Sequence, residues 1–81
     1  MLNQPLIEAF GNRIRQLRTE RNLSQEQLAE LTGFHRTYIG MIERGERNPS
    51  LSNVGVFADA FRISLSELVS MIGSRTNDKQ K

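Results

Sequence analysis

The side chains best suited to chemistry in this sequence are guanidinium groups. Nine of its eleven basic residues are Arg, and both Lys, Lys79 and Lys81, sit at the C-terminal end. A guanidinium is a planar fork that binds a phosphate or the O6/N7 edge of guanine through two hydrogen bonds. Three of the Arg fall within or beside one stretch, Arg36-Thr37-Tyr38-Ile39-Gly40-Met41-Ile42-Glu43-Arg44, followed by Arg47 and Asn48. At helical spacing, Ile39, Ile42 and Glu43 share one face, and Arg36, Thr37, Gly40, Met41 and Arg44 share the other. The second face is narrow, rich in donors and without an acid of its own. It has the shape and chemistry to enter a DNA major groove, which admits a single helix.

Other chemistries lack their residues. There is no Cys and one His, His35, so no disulfide, thiolate metal site or His cluster can form, and neither a metal nor a cofactor is expected. No paired acids, nucleophile–base set or Gly-rich phosphate loop is visible, so the chain does not read as an enzyme. At 81 residues, with 37% hydrophobic residues, it holds one domain with a modest core of the kind a partner subunit often supplements. No apolar run approaches the roughly 20 residues of a membrane span, and the N-terminal stretch lacks the pattern of a signal peptide. The expectation is a soluble, cytoplasmic protein without membrane contact or small-molecule ligand. The net charge of +2 is weak evidence alone; the bias toward Arg is what leans toward nucleic acid.

The elements that must position the Arg face read as five helices with no strand. The first spans about Pro5 to Arg21, with Leu6, Phe10, Ile14 and Leu17 as its stripe. Ser24 and Gln27 form a capping box for the second, whose inner side carries Leu28, Ala29 and Leu31 and whose end is set by Gly33. The third follows His35 as N-cap and stops at Gly45. The fourth runs from Ser50 or Leu51 to Phe61, lined by Leu51, Val54, Ala58 and Phe61 and widened by Phe57. The fifth opens on a second capping box, Ser64 with Glu67, carries Leu65, Leu68, Val69 and Ile72, and ends at Gly73. Residues 1–73 then form the domain, and residues 74–81 are expected to be a disordered polar tail. Arg13, Arg15, Arg21 and Arg62 read as solvated surface, with Arg13 or Arg15 as an outer phosphate contact.

The segments Arg15-Gln16-Leu17-Arg18, Leu23-Ser24-Gln25-Glu26-Gln27-Leu28-Ala29, Ile42-Glu43-Arg44-Gly45, Arg47-Asn48-Pro49-Ser50-Leu51 and Ile63-Ser64-Leu65-Ser66-Glu67-Leu68, together with Gly33 and Ile39, resemble the Cro/C1-type (XRE-like) helix-turn-helix family. The resemblance spans about Phe10 to Ile72. The run from Arg36 to Arg44 with Arg47-Asn48 is also similar to the controller proteins of restriction–modification systems.

This resemblance implies an all-α, five-helix, lambda-repressor-like fold with the helix-turn-helix at helices two and three. It implies a sequence-specific regulator of transcription that binds double-stranded DNA as a homodimer. Arg36, Thr37, Tyr38, Gly40 and Met41 are then the base-contacting residues, and Gln25, Arg44, Arg47 and Asn48 the phosphate contacts. Arg18 and Glu43 form a structural salt bridge between helices one and three. Tyr38 has a second reading, as a packing residue with a wet hydroxyl. Val56, Phe57, Leu65, Val69 and Ile72, too many for one small core, are expected at the dimer interface. A different class of protein, an antitoxin or other protein-interaction module whose main partner is a protein and whose DNA binding serves autoregulation, remains the alternative; the short polar tail weighs against it.

Overall fold

Local caps set most of the helix boundaries in this chain. The structure, a computed structural model, describes residues 4–78, which form α1 (Gln4–Glu20), α2 (Gln25–Thr32), α3 (Arg36–Glu43), α4 (Leu51–Phe61) and α5 (Leu65–Asp78). Among the described residues there is no strand. Ser24 Oγ accepts from the Gln27 N–H while the Gln27 side chain accepts from the Ser24 N–H, closing the capping box that starts α2. Ser64 and Glu67 make the same reciprocal pair at α5. Ser50 caps α4 through the Asn53 N–H. His35 occupies the N-cap position of α3 with extended backbone but makes no side-chain cap bond. Gly33 ends α2 at φ 81°, the left-handed conformation a side chain would strain.

The buried stripe of α1 is Ile7, Phe10, Ile14 and Leu17. Ile7 takes the place expected for Leu6: both flank the Phe10 face at helical spacing, and the packed neighbours cover Ile7 while leaving Leu6 exposed. Leu31 and Leu51, expected to face inward, are also exposed, Leu51 by 76%. Each sits at one end of a short helix, where few neighbours can cover it.

The core is organised by aromatic rings. Phe57 is fully buried, with Phe10 edge-on at 5.9 Å between centroids and Phe34 at 5.3 Å. This corrects the expectation that Phe57 lies at a dimer interface. Ile72 is likewise buried, in the same cluster as Leu68. Of the five residues assigned to that interface, Leu65 and Val69 are exposed and Val56 is half-buried. Helix α5 does not stop at Gly73 but continues to Asp78. A glycine costs a helix only about 1 kcal/mol relative to Ala, too little to force an end where no positive φ is taken up. Residues 79–81 of the anticipated tail lie outside the described residues.

Two arginines read as solvated surface, Arg21 exposed and Arg13 half-buried, also fasten the outer helices to α1. Arg13 donates through Nε to the Leu68 carbonyl and through Nη2 to the Glu67 carbonyl, both at 3.0 Å. Arg21 donates to the Leu17 and Phe61 carbonyls and lies 5.1 Å above the Phe61 ring. The Phe61 carbonyl is at the C-terminal end of α4, where a cation complements the exposed carbonyls and the helix dipole.

Helix α1 crosses α3 at Gly11. A Cβ there would fall on the Ile42 carbonyl oxygen and lie 2.9 Å from that of Glu43. Both obstacles are backbone, so the helices themselves would have to separate. Gly11→Ala is therefore expected to cost about 2–3 kcal/mol, the upper part of the overpacking range, lowering the melting temperature by roughly 10–20 °C for a domain of this size. Thermal unfolding followed by circular dichroism checks this.

Candidate nucleic-acid interface

The face of α3 is held in place from behind by Glu43. Its carboxylate has no solvent exposure and collects four nitrogen atoms. Arg18 grips it from α1 in bidentate fashion, with Nε 2.6 Å from Oε2 and Nη2 3.0 Å from Oε1. Gln25 Nε2 donates from the start of α2 at 3.1 Å, and Arg15 Nε lies 3.5 Å away. Arg18 uses Nη1 to reach the Leu23 carbonyl at 2.8 Å. One carboxylate thus ties α1, the α1–α2 turn and α2 to α3. Burial by itself pushes the Glu43 carboxyl up, but the hydrogen bonds from Arg18 and Gln25, the Arg18 charge and the Arg15 contact outweigh it and hold the group below its ordinary value. Arg18 is pushed up in turn, chiefly by its hydrogen bond to Glu43. The expected Arg18–Glu43 pairing is present in this geometry.

The end of α3 is equally constrained. The Gly45 N–H bonds the Ile42 carbonyl and the Glu46 N–H bonds the Met41 carbonyl, which is the Schellman pattern. Gly45 sits at φ 72°, and a Cβ on it would come 2.7 Å from Glu8 Cγ. Its carbonyl accepts from Gln4 Nε2 at 2.8 Å, which anchors the turn to the first residues of α1.

On the outer side, Arg36, Thr37 and Arg44 are exposed and Met41 is half-buried; Arg47 and Asn48 are exposed on the loop that follows. These six sit on one helix and its adjoining loop, as the sequence reading places them. Gly40 differs. It is buried, and a Cβ there would meet Arg44 Nη1 at 3.0 Å, with Gln25 Nε2 at 3.8 Å. It serves as room for neighbouring side chains rather than as exposed floor. The Gln25 side chain is turned inward to Glu43 instead of outward to solvent. Tyr38 is half-buried: its ring meets Phe34 edge-on at 5.0 Å and its hydroxyl accepts from Asn53 Nδ2 at 3.0 Å. The packing reading describes its present contacts, and the Arg47 guanidinium lies 5.7 Å from its ring centroid.

The face is also less free of acids than α3 alone indicated. Arg36 Nη1 lies 3.5 Å from Glu26 on α2, and Arg44 is paired with Glu46 at 2.9 and 3.1 Å. Both pairs are solvent-exposed, a class of interaction that contributes little to stability. Sequence reasoning missed Gly11, the Arg13 and Arg21 clamps, and these two acids. Glu46 had a local signal, since it follows Arg44 by two residues. Gly11 had one too, as a glycine beside Phe10 in the middle of a helical stripe. The clamps had none, because the carbonyls by which they reach other helices are 40 or more positions away.

The sequence of residues 14–68 matches the helix-turn-helix family, a span that holds Arg18, Gln25 and the whole of α3. The chain belongs to the Cro/C1-type helix-turn-helix family. This helix-turn-helix protein is 47% identical over 66 residues to the control protein C.SmaI of Serratia marcescens, covering 82% of this chain and 79% of that one. It is 48% identical to the restriction–modification controller protein C.AhdI of Aeromonas hydrophila, whose crystal structure it matches with a TM-score of 0.74 over 82% of this chain and 98% of that one. The controller protein C.Esp1396I, solved as a tetramer on its natural 35-base-pair operator, is 28% identical with a TM-score of 0.78, covering 85% of this chain and 91% of that one. The family is one of DNA-binding regulators rather than an enzyme class. Among the described residues, no helix is long and apolar enough to cross a membrane.

The buried carboxylate makes this helix-turn-helix protein sensitive to acid in a definite direction. With the folded value of Glu43 depressed, the unfolded chain binds more protons in acid, so stability is full above the unfolded value near 4.5 and falls as pH drops from there through the folded value. Glu43→Gln is expected to cost about 3 kcal/mol at pH 7, because it leaves Arg18 without its counter-charge, and to flatten the acid limb. Denaturant unfolding at several pH values tests both, and an unchanged midpoint at pH 7 would contradict the role.

Proposed function

We propose that this protein is a sequence-specific regulator of transcription of the restriction–modification controller type, binding a pseudo-palindromic duplex operator as a homodimer with α3 in the major groove. The observation that carries this reading is the division of α3. Its one acid is buried and neutralised behind the helix, while Arg36, Thr37, Met41 and Arg44 project from the other side. Arg36 is the base reader, placed at the first turn of α3, where recognition helices contact base edges. Thr37 and Met41 lie against the groove beside it. Arg44, Arg47 and Asn48 hold the flanking phosphates. At the start of α2 the phosphate contact passes through the backbone N–H of Gln25, since its side chain is committed to Glu43.

A single module of this size contacts few base pairs. Pairing through exposed Leu65 and Val69 of α5 and half-buried Val56 of α4 would form a two-fold dimer, the arrangement that reads half-sites about 34–36 Å apart, one turn of duplex. The operator-bound tetramer of C.Esp1396I and the identity to C.SmaI and C.AhdI support the same reading. The controller role would place the protein's own gene beside those of a methyltransferase and a nuclease.

Selection of bound duplexes from a random pool tests this directly, because it returns half-site, spacing and symmetry together. Arg36→Ala is expected to lose discrimination at one base position per half-site, worth about 1–3 kcal/mol; an unchanged preference would remove Arg36 as the reader. Arg47→Ala is expected to weaken operator and unselected duplex alike and to make the salt dependence shallower by about 0.9 in the log–log slope. Titrations at several salt concentrations measure it.

A further inference from the structure

Glu46 stands where an acid is unfavourable on two counts. It lies just beyond the C-terminal end of α3, where the helix dipole favours cations, and it stands beside the residues assigned to phosphates. Its backbone is not free to drift: the Glu46 N–H is bonded to the Met41 carbonyl, and Gly45 before it is wedged against Glu8. From this anchored backbone the carboxylate receives both Nε and Nη2 of Arg44. The third observation is Gly40. Its missing side chain leaves the space beside which Arg44 Nη1 rests, at a distance of 3.0 Å from where a Cβ would be. A glycine in a helix interior is costly, and here it accommodates the folded-back guanidinium. The pairing also shifts both groups toward their charged forms, Arg44 up and Glu46 down, each chiefly through their mutual hydrogen bond.

We propose that Glu46 is an intramolecular competitor for phosphate: it holds Arg44 back over Gly40, so that Arg44 is withheld from DNA of unselected sequence and reaches a phosphate only in the operator register. The proposal rests on the DNA-binding reading above. A phosphate presents the same bidentate anionic fork to the guanidinium as the carboxylate does. Exchanging one for the other gains little unless the phosphate is well placed. In a loosely docked, non-specific complex the pair stays closed and Arg44 neutralises no phosphate. In the operator complex the fixed register of α3 presents a phosphate to Arg44, and the pair opens.

The test is Glu46→Gln, which removes the charge and keeps the shape, titrated against the selected operator and against a duplex of unselected sequence. An exposed pair of this kind can hold back affinity by up to about fivefold, so operator affinity should rise within that limit with its salt slope unchanged. For the unselected duplex the slope should steepen by about 0.9, one more phosphate contact, which is an extra 3–4-fold loss between about 50 and 200 mM salt. The same comparison in an Arg44→Ala background separates the latch from simple repulsion between Glu46 and DNA. There the steepening should disappear. A slope unchanged by Glu46→Gln, or steepened equally without Arg44, would overturn the proposal. If the unmodified protein binds neither duplex, the DNA-binding reading falls and this one with it.

Discussion

The structure turns on a carboxylate buried among cations. Glu43 cannot be removed from water alone: an isolated buried charge costs several kcal/mol, and the attraction of a partner offsets this only when the geometry is good and the remaining lone pairs are filled. Here the bidentate Arg18 pair, the Gln25 amide and the nearby Arg15 supply that environment. Such a network satisfies its members in one arrangement only. It therefore specifies the angle and register of α3 against α1 and α2, where apolar packing of Ile39 and Ile42 alone would tolerate sliding. The orientation of every outward side chain on α3 follows from it.

Both ends of that mount reinforce the same register. At the crossing, Gly11 lets the α1 backbone approach the Ile42 and Glu43 carbonyls, close to the residue whose side chain makes the ion pair. Beyond it, the Schellman turn at Gly45 and the Gln4 bond to its carbonyl tie the end of α3 back to the start of α1. A helix of eight residues is marginal in water on its own. Its stability comes from these attachments. A groove reader benefits because side chains that must meet base edges cannot tolerate a loosely held support.

The other arginines show how one residue type divides into separate tasks. Arg13 and Arg21 spend their donors on backbone carbonyls and bind α5 and α4 to α1. Arg18 neutralises the buried acid. Arg36, Arg44 and Arg47 keep their charge at the surface. A net charge of +2 therefore describes the face poorly, since Glu43 is cancelled behind it by Arg18 while, in front, Arg36 and Arg44 are paired with Glu26 and Glu46. Burial of Phe57 and Ile72 leaves Leu51, Leu65 and Val69 as the exposed large apolar side chains of the last two helices among the described residues.

Much of this was legible in the linear sequence. Ser24–Gln27, Gly33, Ser64–Glu67 and the start of α4 at Ser50 are local, short-range devices, so residue type and spacing sufficed to place four helix boundaries. The inward and outward faces of α3 followed from periodicity, except at Gly40. Tertiary structure decided the rest, because the relevant partners are distant in the chain. Leu6 and Ile7 are both apolar neighbours on one helix, and only the position of the core selects Ile7. Phe57 looked surplus until Phe10 and Phe34 closed around it. Gly73 could have ended α5 and did not, since a glycine permits a left-handed turn without requiring one. The type and spacing of residues determined that this chain would present an arginine-bearing helix. Which of its arginines face outward, and which are consumed in holding that helix still, depended on carbonyls and a carboxylate that only the folded chain brings within reach.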